Sequence, residues 1–178
     1  MMYKTYYSSP LGQILLISDD DNLLALKLEC HRFYDKFEAS DLVQKDDLGV
    51  FKNTKLWLDN YFAGKAPDIE ELPLSPAGSK FRQDVWNILC KIPYGEVITY
   101  GEIAKKLSHN TDIKMSAQAV GGAVGHNPIS IIIPCHRVVG ANNNLTGYGG
   151  GIKNKIKLLK LEKVDVDQFH IPTSGTAL

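Results

Sequence analysis

The sequence has few cysteines and no pattern that pairs them. Cys30, Cys90 and Cys135 are the three cysteines among 178 residues, and no two are spaced as CxxC. An odd number without pairs argues against a disulfide framework, and a single adjacent Cys30-His31 pair is too little for a zinc site. We therefore expect a reducing compartment and no bound metal.

Long apolar runs and a net charge are also missing. No stretch approaches the roughly 18 apolar residues of a membrane helix, and no basic segment followed by an apolar run opens the chain. These features predict an intracellular protein that is cytoplasmic, or nuclear in a eukaryote, with no membrane partner.

The zero net charge conceals two halves of opposite sign. Residues 79–163 hold 12 Lys or Arg against 5 Asp or Glu, whereas the rest of the chain holds 8 against 15. A basic C-terminal half favours contact with phosphates, and an acidic N-terminal half does not. Nucleic acid is thus a candidate partner.

Apolar periodicity divides the chain into a strand-rich part and a helical part. Strand patterns precede residue 30 and a helix pattern follows over 50–62, so residues 1–66 are predicted as an N-terminal α/β domain. Three prolines mark 67–78 as a linker. Residues 79–178 are predicted as a second domain in which a capped helix, a turn and further helices outline a helix-turn-helix unit. The fold class expected is α+β.

The chemistry-bearing segment is centred on Cys135. An apolar run, 129–133, predicts a buried strand that leads to Pro134-Cys135-His136-Arg137. A reactive thiol needs a base or a cation nearby. His136 could serve as the base, and Arg137 could add positive potential or fix the local backbone.

Four blocks of sequence resemble the O6-alkylguanine-DNA alkyltransferases, also called methylated-DNA-protein-cysteine methyltransferases. The similarity spans about residues 79–163, with a looser likeness in the N-terminal half through Ser9-Pro10-Leu11-Gly12. The blocks are Gly95-Glu96-Val97-Ile98-Thr99-Tyr100, Ala119-Val120-Gly121-Gly122-Ala123 with Asn127-Pro128, Ile133-Pro134-Cys135-His136-Arg137-Val138, and Gly147-Tyr148-Gly149-Gly150 with Leu161-Glu162.

The resemblance implies a catalytic set of four residues. Cys135 would accept the alkyl group, and His136 would deprotonate it through a water molecule. Glu162 would orient and polarise His136, and Asn127 would brace the turn before the active-site segment. No cofactor is implied.

The resemblance also implies positions that bind DNA or the extruded base. They are Tyr100, Gln118, Ala119, Arg137, Val138, Tyr148 and Gly149. Tyr100 would press on the phosphate 3′ to the lesion, because a base must leave the stack before a buried thiolate can reach it. Gln118 departs from the family, which usually places an arginine there to fill the vacated space.

The expected activity is single-turnover transfer of an alkyl group, such as methyl, from O6-alkylguanine, and from O4-alkylthymine, to Cys135. The implied fold packs a ribonuclease H-like N-terminal domain on a helical DNA-binding domain. The expected partner is double-stranded DNA containing O6-alkylguanine, and the protein is expected to be a monomer.

Three alternatives stay open at this point. The first is a lesion-binding protein of the non-catalytic alkyltransferase-like group, although that group has another residue at the acceptor position. The second is a cysteine hydrolase using Cys135 and His136, although neighbours on an extended segment point to opposite sides. The third is a regulator of the adaptive-response type, whose cysteine-rich module is absent here.

Overall fold

The computed structural model describes residues 1–31, 34, 42–109 and 114–171. The chain forms two compact units. The first comprises Met1–Ala77 and Pro128–Ile132, and the second comprises Gly78–Asn127 and Ile133–Leu178. The division expected from the sequence, with domains over 1–66 and 79–178 joined by a linker over 67–78, stays a prediction. No helix within the described ranges is both long and apolar enough to cross a membrane.

The first unit is built on a four-stranded sheet, as far as the structure describes it. Strands β1 (Tyr3–Ser9), β2 (Gly12–Ser18), β3 (Leu23–Leu28) and β4 (Val43–Gln44) are ordered β3-β2-β1-β4. Strands β1, β2 and β3 pair antiparallel, and β4 runs parallel to β1. Five consecutive buried residues end β2, which is typical of a strand covered on both faces.

A turn and a helix complete this unit. Asp19 forms the turn between β2 and β3, where its carboxylate accepts from the amides of Asp21 and Asn22 at 2.9 and 2.6 Å. Helix α1 (Gly49–Phe62) buries one apolar face that includes Phe51, Trp57 and Tyr61. The helix that the sequence predicts over 50–62 is confirmed.

The second unit consists mainly of four helices among the residues described. They are α2 (Lys80–Leu89), α3 (Tyr100–His109), α4 (Ala117–Gly125) and α5 (Ile152–Leu161). Two short parallel strands, β5 (Ile98–Thr99) and β6 (Val138–Val139), join the start of α3 to the segment after Cys135. The second unit thus holds both the helix-turn-helix elements and the candidate acceptor.

Helix starts in this unit follow the capping residues seen in the sequence. The Ser79 hydroxyl accepts from the Arg82 amide at 3.4 Å. Thr99 and Glu102 form the predicted capping box: the Glu102 carboxylate accepts from the Thr99 amide at 2.8 Å, and the Glu102 amide donates to the Thr99 hydroxyl at 3.1 Å.

The predicted strand over 129–133 is wrong. Ile129 makes an isolated bridge to Leu26, but the chain then turns, with the Ile132 amide donating to the Ser130 carbonyl at 2.8 Å and Ile131 at φ 70°. Residues 129–133 are nonetheless all buried. The β-branched run therefore reflected burial and not extended backbone.

Candidate active site

Cys135 lies at the start of a single 3₁₀ turn, Cys135–Arg137. It is 7% exposed. The carbonyl of Ile133 accepts from the Cys135 amide at 2.8 Å and from the Asn127 side-chain amide at 2.7 Å. Asn127 therefore ties the end of α4 to the backbone that presents Cys135. Because the Cys135–His136 segment is not extended, the expectation that their side chains point to opposite sides no longer applies.

His136 is fully buried and is oriented by Glu162. Its Nε2 lies 2.7 Å from Oε1 of Glu162. A carboxylate can only accept, so Nε2 carries the proton and Nδ1 carries the lone pair in the neutral ring. Burial lowers the pKa of His136, although the hydrogen bond and the charge of Glu162 oppose that shift. His136 is therefore a neutral base at pH 7 whose reactive nitrogen is Nδ1.

Glu162 caps the end of α5 and accepts hydrogen bonds from three residues. Arg137 donates from Nε to Oε2 at 2.8 Å and from Nη2 to Oε1 at 3.1 Å, and the Gly95 amide donates to Oε2 at 3.2 Å. Burial raises the pKa of Glu162, but the hydrogen bonds from His136 and Arg137, the charge of Arg137 and the charge that His136 carries when protonated outweigh burial and bring the pKa to about 2. Glu162 is therefore a permanent carboxylate.

The Gly95 turn is shaped to bring its amide to Glu162. Gly95 has φ 81°, and a Cβ there would lie 2.9 Å from the Glu162 backbone carbonyl. Both the left-handed backbone and the close approach require glycine. The block Gly95 to Tyr100, first noted for its resemblance, thus contributes a donor to the active site.

Arg137 is placed inside the protein. Besides its two bonds to Glu162, it donates from Nη1 to the Ile92 carbonyl at 2.6 Å, and its guanidinium lies 5.7 Å from the ring centre of Tyr94. Its side chain is 7% exposed. This position favours a role in holding Glu162. It does not favour the contact with DNA that is expected from the sequence.

The residues expected to hold the base surround the same turn. Val138 is buried directly after it, and the ring of Tyr148 meets His136 edge to face with centroids 6.4 Å apart. Gly149 follows in the same loop and is partly exposed. Tyr100, the first residue of α3, accepts at its hydroxyl from Thr146 Oγ1 at 3.1 Å. Thr146 thereby connects the loop of Tyr148 to the start of α3.

Lys155 belongs to this cluster but was not predicted. It is fully buried, and Nζ donates to the carbonyls of Val138 and Thr146 at 2.6 and 3.0 Å. Burial lowers its pKa to about 8, and the thiolate form of Cys135 opposes the shift. Its place three and four residues before the buried Leu158 and Leu159 was a usable signal, because such spacing shares one helix face.

Gln118 and Ala119 lie on the first turn of α4 and are exposed. The Ser116 hydroxyl caps this helix by accepting from the Ala119 amide at 3.1 Å. Nearby, a Cβ on Gly121 would lie 3.8 Å from the Tyr100 ring, so α3 and α4 approach closely there. These two residues are thus on the outer face of the helix-turn-helix unit and not in the buried cluster.

A buried thiol next to an oriented histidine, in a unit with helix-turn-helix elements, fits the class of nucleic-acid-binding proteins that use a cysteine as nucleophile. Two family models match the chain: the ribonuclease-like domain of 6-O-methylguanine DNA methyltransferase over residues 2–76, and its DNA binding domain over residues 80–164. The chain belongs to the 6-O-methylguanine DNA methyltransferase family.

Individual relatives agree over nearly the whole chain. A methylated-DNA--protein-cysteine methyltransferase of Haemophilus influenzae is 41% identical over 92% of this chain and 87% of its own length. One from Methanosarcina acetivorans is 42% identical, covering 90% and 98%. The crystal structure of Mycobacterium tuberculosis OGT in complex with DNA superposes with a TM-score of 0.78 at 38% identity, covering 94% of each chain. The α+β fold class and the resemblance found in the sequence are confirmed.

Proposed function

We propose that this protein repairs alkylated DNA by moving the alkyl group of O6-alkylguanine onto Cys135. The observation that carries the proposal is the buried sequence Cys135-His136 with His136 fixed by Glu162 at 2.7 Å. Family membership supplies the substrate class. The excess of Lys and Arg over Asp and Glu in residues 79–163 favours binding to the phosphate backbone of duplex DNA. O4-alkylthymine is proposed as a second substrate.

The reaction needs only residues of this chain. Nδ1 of His136 takes the thiol proton of Cys135 through a water molecule, and Glu162 stabilises the resulting imidazolium. The thiolate attacks the alkyl carbon, so an S–C bond forms as the C–O6 bond breaks. The electron pair of the broken bond passes to the guanine, which takes up one proton from solvent, and the His136 imidazolium returns the thiol proton to solvent. A thioether has no easy route back to the thiol, so each molecule acts once.

DNA binding is assigned to the exposed face of the helix-turn-helix unit. Gln118 and Ala119 on α4 are proposed to meet the duplex, and Tyr100 to act on the phosphate beside the extruded nucleotide. Val138, Tyr148 and Gly149 are proposed to line the base pocket. The protein is proposed to act as a monomer.

The cytoplasm, or the nucleus in a eukaryote, is the proposed compartment. None of the three cysteines, all of which the structure describes, forms a disulfide. A reaction that consumes a thiol requires that thiol to stay reduced, and those compartments keep thiols reduced.

The direct test is to map the transferred methyl group. Incubation with a duplex carrying one O6-methylguanine is expected to place one methyl group on the peptide that contains Cys135, and mass spectrometry of the digested protein measures it. The same duplex with unmodified guanine is the control. Methyl on the peptide of Cys30 or Cys90, or repair of many lesions by one molecule, would refute the acceptor assignment.

A second prediction concerns Gln118, which lacks the charge and the stacking plane of arginine. Gln118→Arg is expected to tighten duplex binding several-fold, since a cation-π or stacking contact contributes about 0.5 to 2 kcal/mol. The rate of repair should rise more on duplex than on single-stranded DNA, because only a duplex leaves an orphaned partner base. Fluorescence anisotropy and single-turnover kinetics measure the two effects.

Gln118→Lys is the matched control, since it adds the charge without the planar group. Lysine should give part of the gain in affinity but little gain in duplex repair. If arginine leaves duplex repair unchanged, or helps both substrates equally, residue 118 does not fill the vacated stack.

A further inference from the structure

The chain after α5 returns to the loop that carries Tyr148. We call residues 164–170 the C-terminal strap and residues 140–151 the Gly/Asn-rich loop. Asn144 and His170 form a parallel bridge, in which the Leu145 amide donates to the His170 carbonyl at 2.7 Å and the His170 amide donates to the Asn143 carbonyl at 2.8 Å. Both bonds are between backbones, and the His170 side chain is exposed.

Apolar packing holds the strap to the same loop. Val164, Val166 and Phe169 pack against a buried cluster made by Val139, Leu145 and Leu159. Leu145 is 1% exposed. The strap therefore bonds to the Leu145 amide and also packs against the apolar cluster to which Leu145 belongs.

The loop has a backbone that needs such support. Asn142 and Asn143 have φ of 55° and 56°, in the left-handed region that asparagine adopts more readily than other residues with a Cβ but still at some cost in free energy. Strained conformations of this kind persist only when surrounding contacts fix them. One strap bond is made by Asn143, a member of this left-handed pair, and the other by Leu145, two residues further along.

Thr146 connects the Gly/Asn-rich loop to the active site by hydrogen bonds. The Thr146 hydroxyl donates to Tyr100, and its carbonyl accepts from Lys155, which also holds the carbonyl of Val138. Two residues further, Tyr148 contacts the ring of His136. A shift of the loop would therefore move several groups proposed to hold the base.

We propose that the C-terminal strap is a positioning element for alkyl transfer: it fixes the Gly/Asn-rich loop so that the extruded base is held in line with Cys135. The inference rests on the proposed function. All of the strap except its first residue lies beyond residue 164, where the match to the DNA binding domain of the family ends.

Two substitutions at the exposed residue His170 separate the contribution of its backbone amide from that of its side chain. His170→Pro removes the amide that donates to Asn143, and His170→Ala keeps it. Phe169 has φ −99° and ψ 148°, a conformation that is allowed before proline. Phe169→Ala is a second, independent variant that removes packing and leaves both backbone bonds possible.

Three measurements are made on each full-length protein. At saturating duplex with one O6-methylguanine, His170→Pro and Phe169→Ala should slow methyl transfer about tenfold, because small misplacements of a reacting group are costly. The duplex dissociation constant should stay within about twofold, since α4 is unchanged. Hydrogen exchange should show loss of protection at the Leu145 amide. His170→Ala should match the unmodified protein in all three.

The outcomes separate this inference from the proposed function. If the unmodified protein transfers no methyl group, the function fails, whereas the exchange of the Leu145 amide still reports on the strap. If transfer is normal in a variant that has lost Leu145 protection, the strap does not position the base. Retained protection in both variants also overturns the inference, since the strap would not be what orders the loop. A loss of rate in His170→Ala would assign the effect to the imidazole.

Discussion

Cys135→Ser is expected to abolish methyl transfer while leaving duplex binding intact. A serine hydroxyl has a pKa far above that of a thiol, so neutral His136 cannot ionise it to a useful extent. The substitution is nearly isosteric at a site that is 7% exposed, so the fold and the face of α4 should not change. Transfer of radiolabelled methyl from duplex DNA to the protein measures the loss, and fluorescence anisotropy measures binding.

The other two cysteines provide matched controls. Cys90 is partly buried, and burial raises the pKa of its thiol even though the charge of Arg137 opposes that shift. Cys30 is exposed and belongs to the first unit. Cys30→Ser and Cys90→Ser should therefore retain transfer. Transfer that survives in Cys135→Ser would show that another group accepts the methyl.

Helix positions could be predicted from the sequence because they depend on local signals. Ser79 and the pair Thr99 and Glu102 satisfy the first amides of α2 and α3, and such capping is determined within four residues. Helix α5 has no side-chain cap, but it too follows from a local signal, because Leu158 and Leu159 fall on one buried face. Periodicity and caps are properties of the chain alone.

The details of the buried site could not be predicted in this way, because they depend on contacts distant in sequence. The run 129–133 looks extended, yet a bridge from Ile129 to Leu26 and a turn at Ile131 shape it. From the sequence alone, Arg137 is a candidate cation for binding DNA. In the structure, the Ile92 carbonyl and the Glu162 carboxylate, 45 and 25 residues away, accept hydrogen bonds from its guanidinium. Lys155 donates to the carbonyls of Val138 and Thr146, and these partners cannot be inferred from its position in α5.

Glu162→Gln is expected to slow methyl transfer by on the order of 10²-fold or more, the range over which general bases contribute, with a much smaller effect on duplex binding. A neutral amide can accept from Nε2 of His136 but cannot stabilise the imidazolium with a charge. It also loses the interaction that opposes the lowering of the His136 pKa, so His136 becomes a weaker base. Single-turnover rates against pH measure both effects.

The direction of the pH shift distinguishes this role from a structural one. His136 must be neutral to accept the thiol proton, so the rate falls on the acid side as His136 becomes protonated. A lower pKa for His136 in the variant should move that acid limb to lower pH while the maximum rate falls. Simple loss of folded protein would lower the rate at every pH without moving the limb.

The free energy of unfolding should also depend on pH through Glu162. The pKa of Glu162 is lowered from 4.5 to about 2 in the folded protein. Its contribution to the free energy of unfolding is therefore complete above about pH 4.5 and is lost as the pH falls towards about 2. Glu162→Gln should remove this part of the acid dependence, which urea unfolding at a series of pH values measures.

The single variant also leaves the guanidinium of Arg137 buried without its carboxylate, a change that typically costs about 3 to 5 kcal/mol. The double variant E162Q/R137M removes both charges and should regain most of that stability. It should stay slow in methyl transfer, because His136 still lacks the carboxylate, and its acid limb should remain shifted. Recovery of transfer together with stability in the double variant would mean that Glu162 serves only to neutralise Arg137. Equal losses of transfer and duplex binding in E162Q would likewise make Glu162 a structural residue.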